Sequence, residues 1–365
     1  MNAAGQLHEQ GQCLWLDNIT RQLVTGGTLS RYIEDCAVTG LTSNPSIFNH
    51  AIGDNDFYDE AIREQASGGI STEALFFALS VTDAGLAADL FRTMHDATAG
   101  SDGWVSLEVS PLLAAATAAT IEAAAALHAQ ARRPNLFVKI PGTPEGLPAI
   151  EESIFAGIPV NVTLLFSREH YLAAAAAYMR GIERRIAAGR VPVVESVASI
   201  FVSRWDAASN DKVPHSLHNR LGIAMAGRTY SAYQALLKSP RWLKLHAAGA
   251  RPQRLLWAST GTKDAAASDV LYVEALAAAE TINTLPESTL LAFADHGQVA
   301  TLMSADCSEA ESVIAQFARH GVDDVALAAD LQFAGVASFV RSWRDLMQRL
   351  EKKVAIQQAG LRRHA

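Results

Sequence analysis

Short runs of β-branched and apolar residues alternate along this chain with longer, alanine-rich stretches. The short runs predict eight strands: Leu14–Asn18, Gly40–Asn44, Trp104–Val109, Asn135–Ile140, Ile158–Leu164, Val191–Ser199, Arg254–Ser259 and Leu290–Ala294. Between them, segments such as Pro111–Ala131, Arg168–Ala188 and Leu217–Lys238 have the length and composition of crossover helices. Eight strand-then-helix units close naturally into a parallel (β/α)8 TIM barrel, with a doubly wound open sheet as the second arrangement. No internal repeat and no long Pro/Gly/Ser linker divides the chain, so residues 1–365 are expected to form one barrel domain. Asn49–Gly69, Asp206–His218 and the tail after Val340 read as additions to the barrel, with Arg341–Gly360 a final amphipathic helix.

A strand turns successive side chains to opposite faces, so residues of equal parity share a side. In Asn135–Ile140, Leu136, Val138 and Ile140 share the face expected against the helices, and Phe137 and Lys139 the face directed into the barrel. In Ile158–Leu164 the apolar Ile158, Val160, Val162 and Leu164 are expected to point outward, leaving Pro159, Asn161 and Thr163 inside. In Trp104–Ser110, Val105, Leu107 and Val109 point out while Ser106, Glu108 and Ser110 point in, and Asp17 and Asn44 stand near the C-terminal ends of the first two strands. A single lysine or glutamate at a strand end is ordinarily a solvated surface residue. Inward parity repeated on three strands, at the end where barrel enzymes gather their chemistry, makes Asp17, Asn44, Glu108, Lys139, Asn161 and Thr163 a candidate site.

Composition narrows the function class. Nearly half of the residues are hydrophobic, enough for an extended core, and the formal charge of −8 opposes a chain built to bind nucleic acid or an anionic membrane. Small anionic substrates remain compatible with a local basic site. Cys13, Cys36 and Cys307 are odd in number, widely spaced and without a CxxC pair, so neither a disulfide framework nor a zinc site is expected, and a reducing, cytoplasmic location fits. The N-terminus lacks the pattern of a secretory leader, and no membrane span is expected. His215 and His218 lack a third ligand, so no metal is expected there. Gly26-Gly27 and Gly68-Gly69 lack the context of a nucleotide loop and read as turns.

Several segments carry a family resemblance. Leu41-Thr42-Ser43-Asn44-Pro45-Ser46, Val138-Lys139-Ile140-Pro141, Asn161-Val162-Thr163-Leu164-Leu165-Phe166-Ser167, Ser199-Ile200-Phe201-Val202-Ser203-Arg204 and Trp257-Ala258-Ser259-Thr260-Gly261-Thr262-Lys263 resemble transaldolases in order and spacing, over nearly the whole chain. The likeness is nearest to a bacterial branch that also occurs fused to a glucose-phosphate isomerase; no isomerase portion lies within these residues. The resemblance implies an α/β barrel with a Schiff-base lysine at Lys139, an acid/base glutamate at Glu108, an aspartate at Asp17, and an asparagine at Asn44. It further implies Asn161 and Thr163 on the fifth strand, Ser199 and Arg204 as phosphate ligands, and Lys263 as a second basic phosphate ligand. The implied reaction moves a dihydroxyacetone unit from sedoheptulose 7-phosphate to glyceraldehyde 3-phosphate in the non-oxidative pentose phosphate pathway, without cofactor or metal. Three departures stand out: Gly142 where relatives more often carry alanine, Ala265-Ala266-Ala267 where a proline and an aromatic are common, and Ser110 in place of an acidic residue.

The residue types suit that chemistry. Cleaving a carbon–carbon bond beside a ketone needs an electron sink, which an iminium on a lysine amine supplies. Forming and hydrolysing the imine requires a proton carrier, expected in Glu108 through a water held by Thr163, and Asp17 is expected to take the proton of the hydroxyl whose bond collapses. Asn44 and Asn161 suit sugar hydroxyls; Ser199 and Arg204 suit a phosphate. Two other readings remain: an aldolase of the same superfamily acting on fructose 6-phosphate, which generally lacks the Glu108 carboxylate, and a sugar-phosphate-binding protein without catalysis.

Overall fold

The computed structural model of the chain describes residues 2–53, 56–66, 69–299 and 301–364, with side chains as far as 358 apart from residue 66. Eight parallel strands pair in chain order and close into a barrel: β1 (Gln12–Asp17), β2 (Val38–Thr42), β3 (Trp104–Glu108), β4 (Leu136–Pro141), β5 (Val160–Leu165), β6 (Ser196–Phe201), β7 (Arg254–Ala258) and β8 (Thr281–Leu285). Helices separate consecutive strands and surround them, the arrangement a right-handed strand–helix–strand crossover imposes on a parallel sheet.

Seven of the eight expected strands lie where the pattern places them; the eighth does not. Leu290–Ala294 belongs to a helix, Glu287–His296, and the closing strand is the more polar Thr281-Ile282-Asn283-Thr284-Leu285 just before it. A short apolar run has no period that separates strand from helix. The true strand is hidden because its threonine hydroxyls find partners on β1 and β2: Thr281 Oγ1 accepts from Gln12 Nε2 at 2.8 Å, and Thr284 Oγ1 lies 2.6 Å from Thr42 Oγ1. The sixth strand begins only at Ser196; Val191 and Val193 are exposed, and Pro192, with no N–H to give a ladder, keeps that stretch irregular.

Parity holds on β1, β3 and β4. Leu14, Leu16, Val105, Leu107, Leu136, Val138 and Ile140 pack outward against helices, while Cys13, Trp15, Trp104 and Phe137 fill the barrel. On β5 it fails at one residue. Leu164 takes a left-handed φ of 59° where the β5–β6 register shifts, which turns its side chain into the inner cluster and gives the outward place to Leu165.

The barrel is closed below the site. Trp104 stacks on Phe137 with ring centroids 4.1 Å apart, and Trp15 lies 6.1 Å from Phe137. Gly40 admits this floor, because a Cβ there would fall 2.6 Å from Trp15 Cε2. Arg254 donates to Asp102 at 3.2 Å and to Cys13 Sγ at 2.9 Å, so a partly buried cation is matched by polar partners.

One helix, Thr72–Ala97, is long and apolar enough to cross a membrane, yet it packs against β3 with a buried face that holds Asp83, which accepts from Tyr58 Oη at 2.7 Å. Gly26 ends the helix Arg21–Thr25 and Gly27 opens the next with φ of 77°, the turn expected there; Gly68 lies outside the described residues. The tail is longer than the amphipathic segment read from sequence. A single helix, Asp324–His364, begins before Val340 and packs against the helix Pro45–Gly53, β5 and the segment after β3.

Candidate active site

The C-terminal ends of β1, β2, β4, β6, β7 and β8 open into a cavity of about 190 Å³ lined by Asp17, Asn44, Lys139, Ser199, Arg204 and neighbouring residues. Lys139 lies at its base, two residues above the Phe137 floor on the same face of β4. Its Nζ donates to the Ser43 carbonyl at 3.0 Å and lies 3.6 Å from Glu108 Oε2, an ion pair too long for a hydrogen bond. The pair follows from strand register, since Glu108 on β3 stands directly opposite Lys139 on β4.

Glu108 is 5% exposed, and neither carboxylate oxygen receives a hydrogen bond from a described protein group. Burial therefore dominates its proton affinity and pushes its pKa up to about 7, against the opposing pull of the Lys139 cation; the Asp17 charge adds to the rise. Asp17 is raised by the same cause: its side chain reaches accessible space, but the carboxyl sits deep enough for desolvation to outweigh Lys139 and two hydrogen bonds. Those bonds come from Thr42 Oγ1 at 2.8 Å and Asn44 Nδ2 at 3.4 Å. Two carboxyl groups with raised proton affinity beside one lysine form a set suited to proton exchange, Glu108 near neutrality.

Asn44 is held by the chain around it. Its Oδ1 accepts from the backbone N–H groups of Ser46 at 3.0 Å and Ile47 at 3.2 Å, capping the helix Pro45–Gly53, and this fixes Nδ2 toward Asp17. Pro45 suits the first helical position, where no N–H is needed. Asn161, opposite Lys139 in register, donates to Ser106 Oγ at 3.0 Å and accepts from Ser199 Oγ at 2.7 Å, a chain of polar side chains across β3, β5 and β6. Thr163 is fully buried, and its hydroxyl, like the Glu108 carboxylate, is left without a partner among the described residues.

Arg204, at the start of the short helix Ser203–Ala207 after β6, has no carboxylate partner among the described residues. Its guanidinium lies over the Phe201 ring at 4.9 Å and the Phe339 ring at 5.8 Å, and burial lowers its pKa while leaving it a cation at neutral pH. An uncompensated cation in a pocket beside hydroxyl groups is suited to an anion. Lys263 does not join it: the side chain is exposed and lies outside the cavity lining. Its loop is tied elsewhere, since Asp264 accepts from Asn219 Nδ2 at 2.8 Å and from the Ala266 N–H at 2.9 Å. Gly142 likewise has a local reason, because a Cβ there would meet Leu165 Cδ2 at 2.3 Å. Among the described residues no group of three or more His, Cys, Asp or Glu is placed to hold a metal ion.

Sequence reasoning missed Thr42, Phe201, Thr284, Ser338 and Phe339, all of which line the cavity. Phe201 shares parity with Ser199 and was open to detection; Thr284 was lost with the misplaced eighth strand. Ser338 and Phe339 lie on the terminal helix, more than fifty residues after the last strand in sequence, and carry no local signal.

A buried lysine paired to a carboxylate at the mouth of a parallel barrel, with an arginine that has no carboxylate partner among the described residues in the same cavity, suits an enzyme class that works through a lysine amine on a small anionic substrate. Residues 14–350 match the family model described as transaldolase/fructose-6-phosphate aldolase, and the chain belongs to that family. It is 42% identical to a transaldolase of Parafrankia sp. (strain EAN1pec), over 95% of this chain and 97% of the relative. A transaldolase of Thiobacillus denitrificans is 42% identical over 96% of this chain and all of its own length, and transaldolase 2 of Nostoc sp. is 38% identical over 96% and 97%.

Proposed function

We propose that this protein is a transaldolase that moves a dihydroxyacetone unit from a ketose phosphate, sedoheptulose 7-phosphate or fructose 6-phosphate, to an aldose phosphate such as glyceraldehyde 3-phosphate. The observation that carries the reading is Lys139 Nζ, buried 3.6 Å from Glu108 Oε2 in the cavity that also holds Asp17 and Arg204. Arg204 and Ser199 bind the phosphate and fix the distance of the ketone from the lysine. Unprotonated Nζ attacks the ketone carbon, water leaves, and an iminium results; Glu108, with Thr163 orienting the water, carries the protons. Asp17 takes the proton of the C4 hydroxyl, the C3–C4 bond breaks, the aldose departs, and the electron pair remains as an enamine on Lys139. That enamine attacks the acceptor aldehyde, Asp17 returns its proton to the new alkoxide, and water releases the ketose product and the free amine. Asn44 and Asn161 hold sugar hydroxyls through the cycle. The steps balance with the lysine as electron sink, so no cofactor is invoked, and the setting that suits them is the cytoplasm.

Borohydride reduction after incubation with fructose 6-phosphate tests the reading: a three-carbon adduct on Lys139 is expected. Turnover should require an aldose phosphate acceptor. Free dihydroxyacetone released in its absence at a comparable rate makes the protein an aldolase, and no adduct at all makes it a binder.

A further inference from the structure

The terminal helix Asp324–His364 reaches the cavity along one face, at positions three or four residues apart. Gln332 Nε2 donates to the carbonyls of Gly142 at 3.2 Å and Leu164 at 3.0 Å, pinning the helix over the ends of β4 and β5. At Gly335 a Cβ would lie 3.2 Å from Arg204 Nη1 and 3.0 Å from Leu164 Cδ2, so the glycine leaves room for the guanidinium. Phe339 then packs beside Phe201 against Arg204, the two ring centroids 6.5 Å apart, and Ser342 Oγ lies 3.0 Å from Ser46 Oγ.

Four serines line the cavity, and three are engaged: Ser46 with Ser342, Ser199 with Asn161, and Ser259 with Ser203 at 3.0 Å. The Ser338 hydroxyl makes no hydrogen bond to a described residue, although it opens on the same cavity as Arg204. With Lys263 outside the lining, Arg204 is the only cation besides Lys139 among the described lining residues. We infer that the terminal helix completes the phosphate subsite: Ser338 donates a hydrogen bond to the phosphate monoester beside Arg204, and Phe339, with Gly335, positions the guanidinium. This rests on the Schiff-base reading above.

The test compares wild type with Ser338→Ala, Ser338→Thr and Phe339→Leu, using the exposed Phe333→Ala on the same helix as control. Losing one donor to a dianion is expected to raise KM for fructose 6-phosphate about ten-fold or more in Ser338→Ala, with kcat within about two-fold. The inhibition constant of inorganic phosphate should rise in parallel, while borohydride trapping of unphosphorylated dihydroxyacetone at Lys139 stays as in wild type. Ser338→Thr, which keeps the hydroxyl, should recover most of the loss; Phe339→Leu should weaken phosphate through Arg204 and leave dihydroxyacetone trapping intact. Unchanged KM and phosphate inhibition, or an equal loss with dihydroxyacetone, overturns the inference. If Ser338→Ala does not fold, Ser338→Cys, close in size with a weaker donor, carries the same comparison. Wild type that traps neither ketone refutes the Schiff-base reading instead, and calorimetric binding of inorganic phosphate to wild type and Ser338→Ala still decides Ser338: equal affinities overturn the inference.

Discussion

Glu108→Gln separates what the carboxylate does for chemistry from what it costs the fold. Burial raises its pKa from 4.5 in the unfolded chain to about 7 in the folded one. At about 1.4 kcal/mol for each tenfold change in proton affinity, ionised Glu108 destabilises the folded state by about 3 kcal/mol. The sign follows from the direction: a carboxyl of raised pKa adds no penalty below pH 4.5, and the penalty grows as pH rises and is complete above 7. Glutamine keeps the shape of the protonated acid at every pH. Urea unfolding should therefore find Glu108→Gln more stable than wild type by about 3 kcal/mol at pH 8 and by less than about 1 kcal/mol at pH 5. In the same variant kcat should fall roughly 10²–10⁴-fold, the usual worth of general acid–base catalysis, with little change in substrate affinity. The wild-type rate of borohydride labelling should rise through pH 7 as Glu108 ionises, and that limb should vanish in the variant. A stability difference that is flat between pH 5 and 8, or a variant with wild-type kcat across the profile, refutes the assignment.

Lys139→Met should abolish turnover and labelling while the fold survives, and because the Lys139 cation holds Glu108 down, the Glu108 pKa measured by NMR titration should move above 7; labelling that persists places the nucleophile elsewhere. Arg204→Ala should raise KM for phosphorylated donors at least ten-fold with a smaller effect on kcat, and equal losses for phosphorylated and unphosphorylated donors count against its pairing with phosphate. Gly40→Ala should cost about 1–3 kcal/mol in urea unfolding, since the new methyl collides with Trp15 and with the Trp104 carbonyl at 2.7 Å; a neutral result means that the aromatic floor yields.

The barrel was legible because its signal is local. β4 alternates Leu136, Val138 and Ile140 against Phe137 and Lys139, and such a strand has one way to lie between helices and a barrel interior. Leu164 escaped because a single left-handed residue reverses parity without changing composition, and β8 escaped because Thr281 and Thr284 find hydrogen-bond partners on β1 and β2 that the sequence does not name. At Lys263 the motif and the geometry part: a basic residue five positions beyond the end of β7 is exposed, its loop tied where Asp264 accepts from Asn219, a residue 45 positions earlier.

The terminal helix shows the deeper limit. Read alone, the sequence predicts an amphipathic helix only over Arg341–Gly360, which leaves Phe339 outside it as an ordinary apolar residue. What distinguishes Phe339 is Arg204, which follows the end of β6 at the mouth and meets Phe339 and Phe201 together, the two rings 6.5 Å apart. A half-buried cation packed against two aromatic rings, with no carboxylate partner among the described residues, is costly unless an anion completes it. Arg204 therefore makes the helix part of the site: a substitution such as Gly335→Ala, which adds a methyl 3.2 Å from Nη1, should disturb phosphate binding before it disturbs folding. An increase in KM for fructose 6-phosphate at unchanged unfolding midpoint supports that order, and loss of stability with intact KM reverses it.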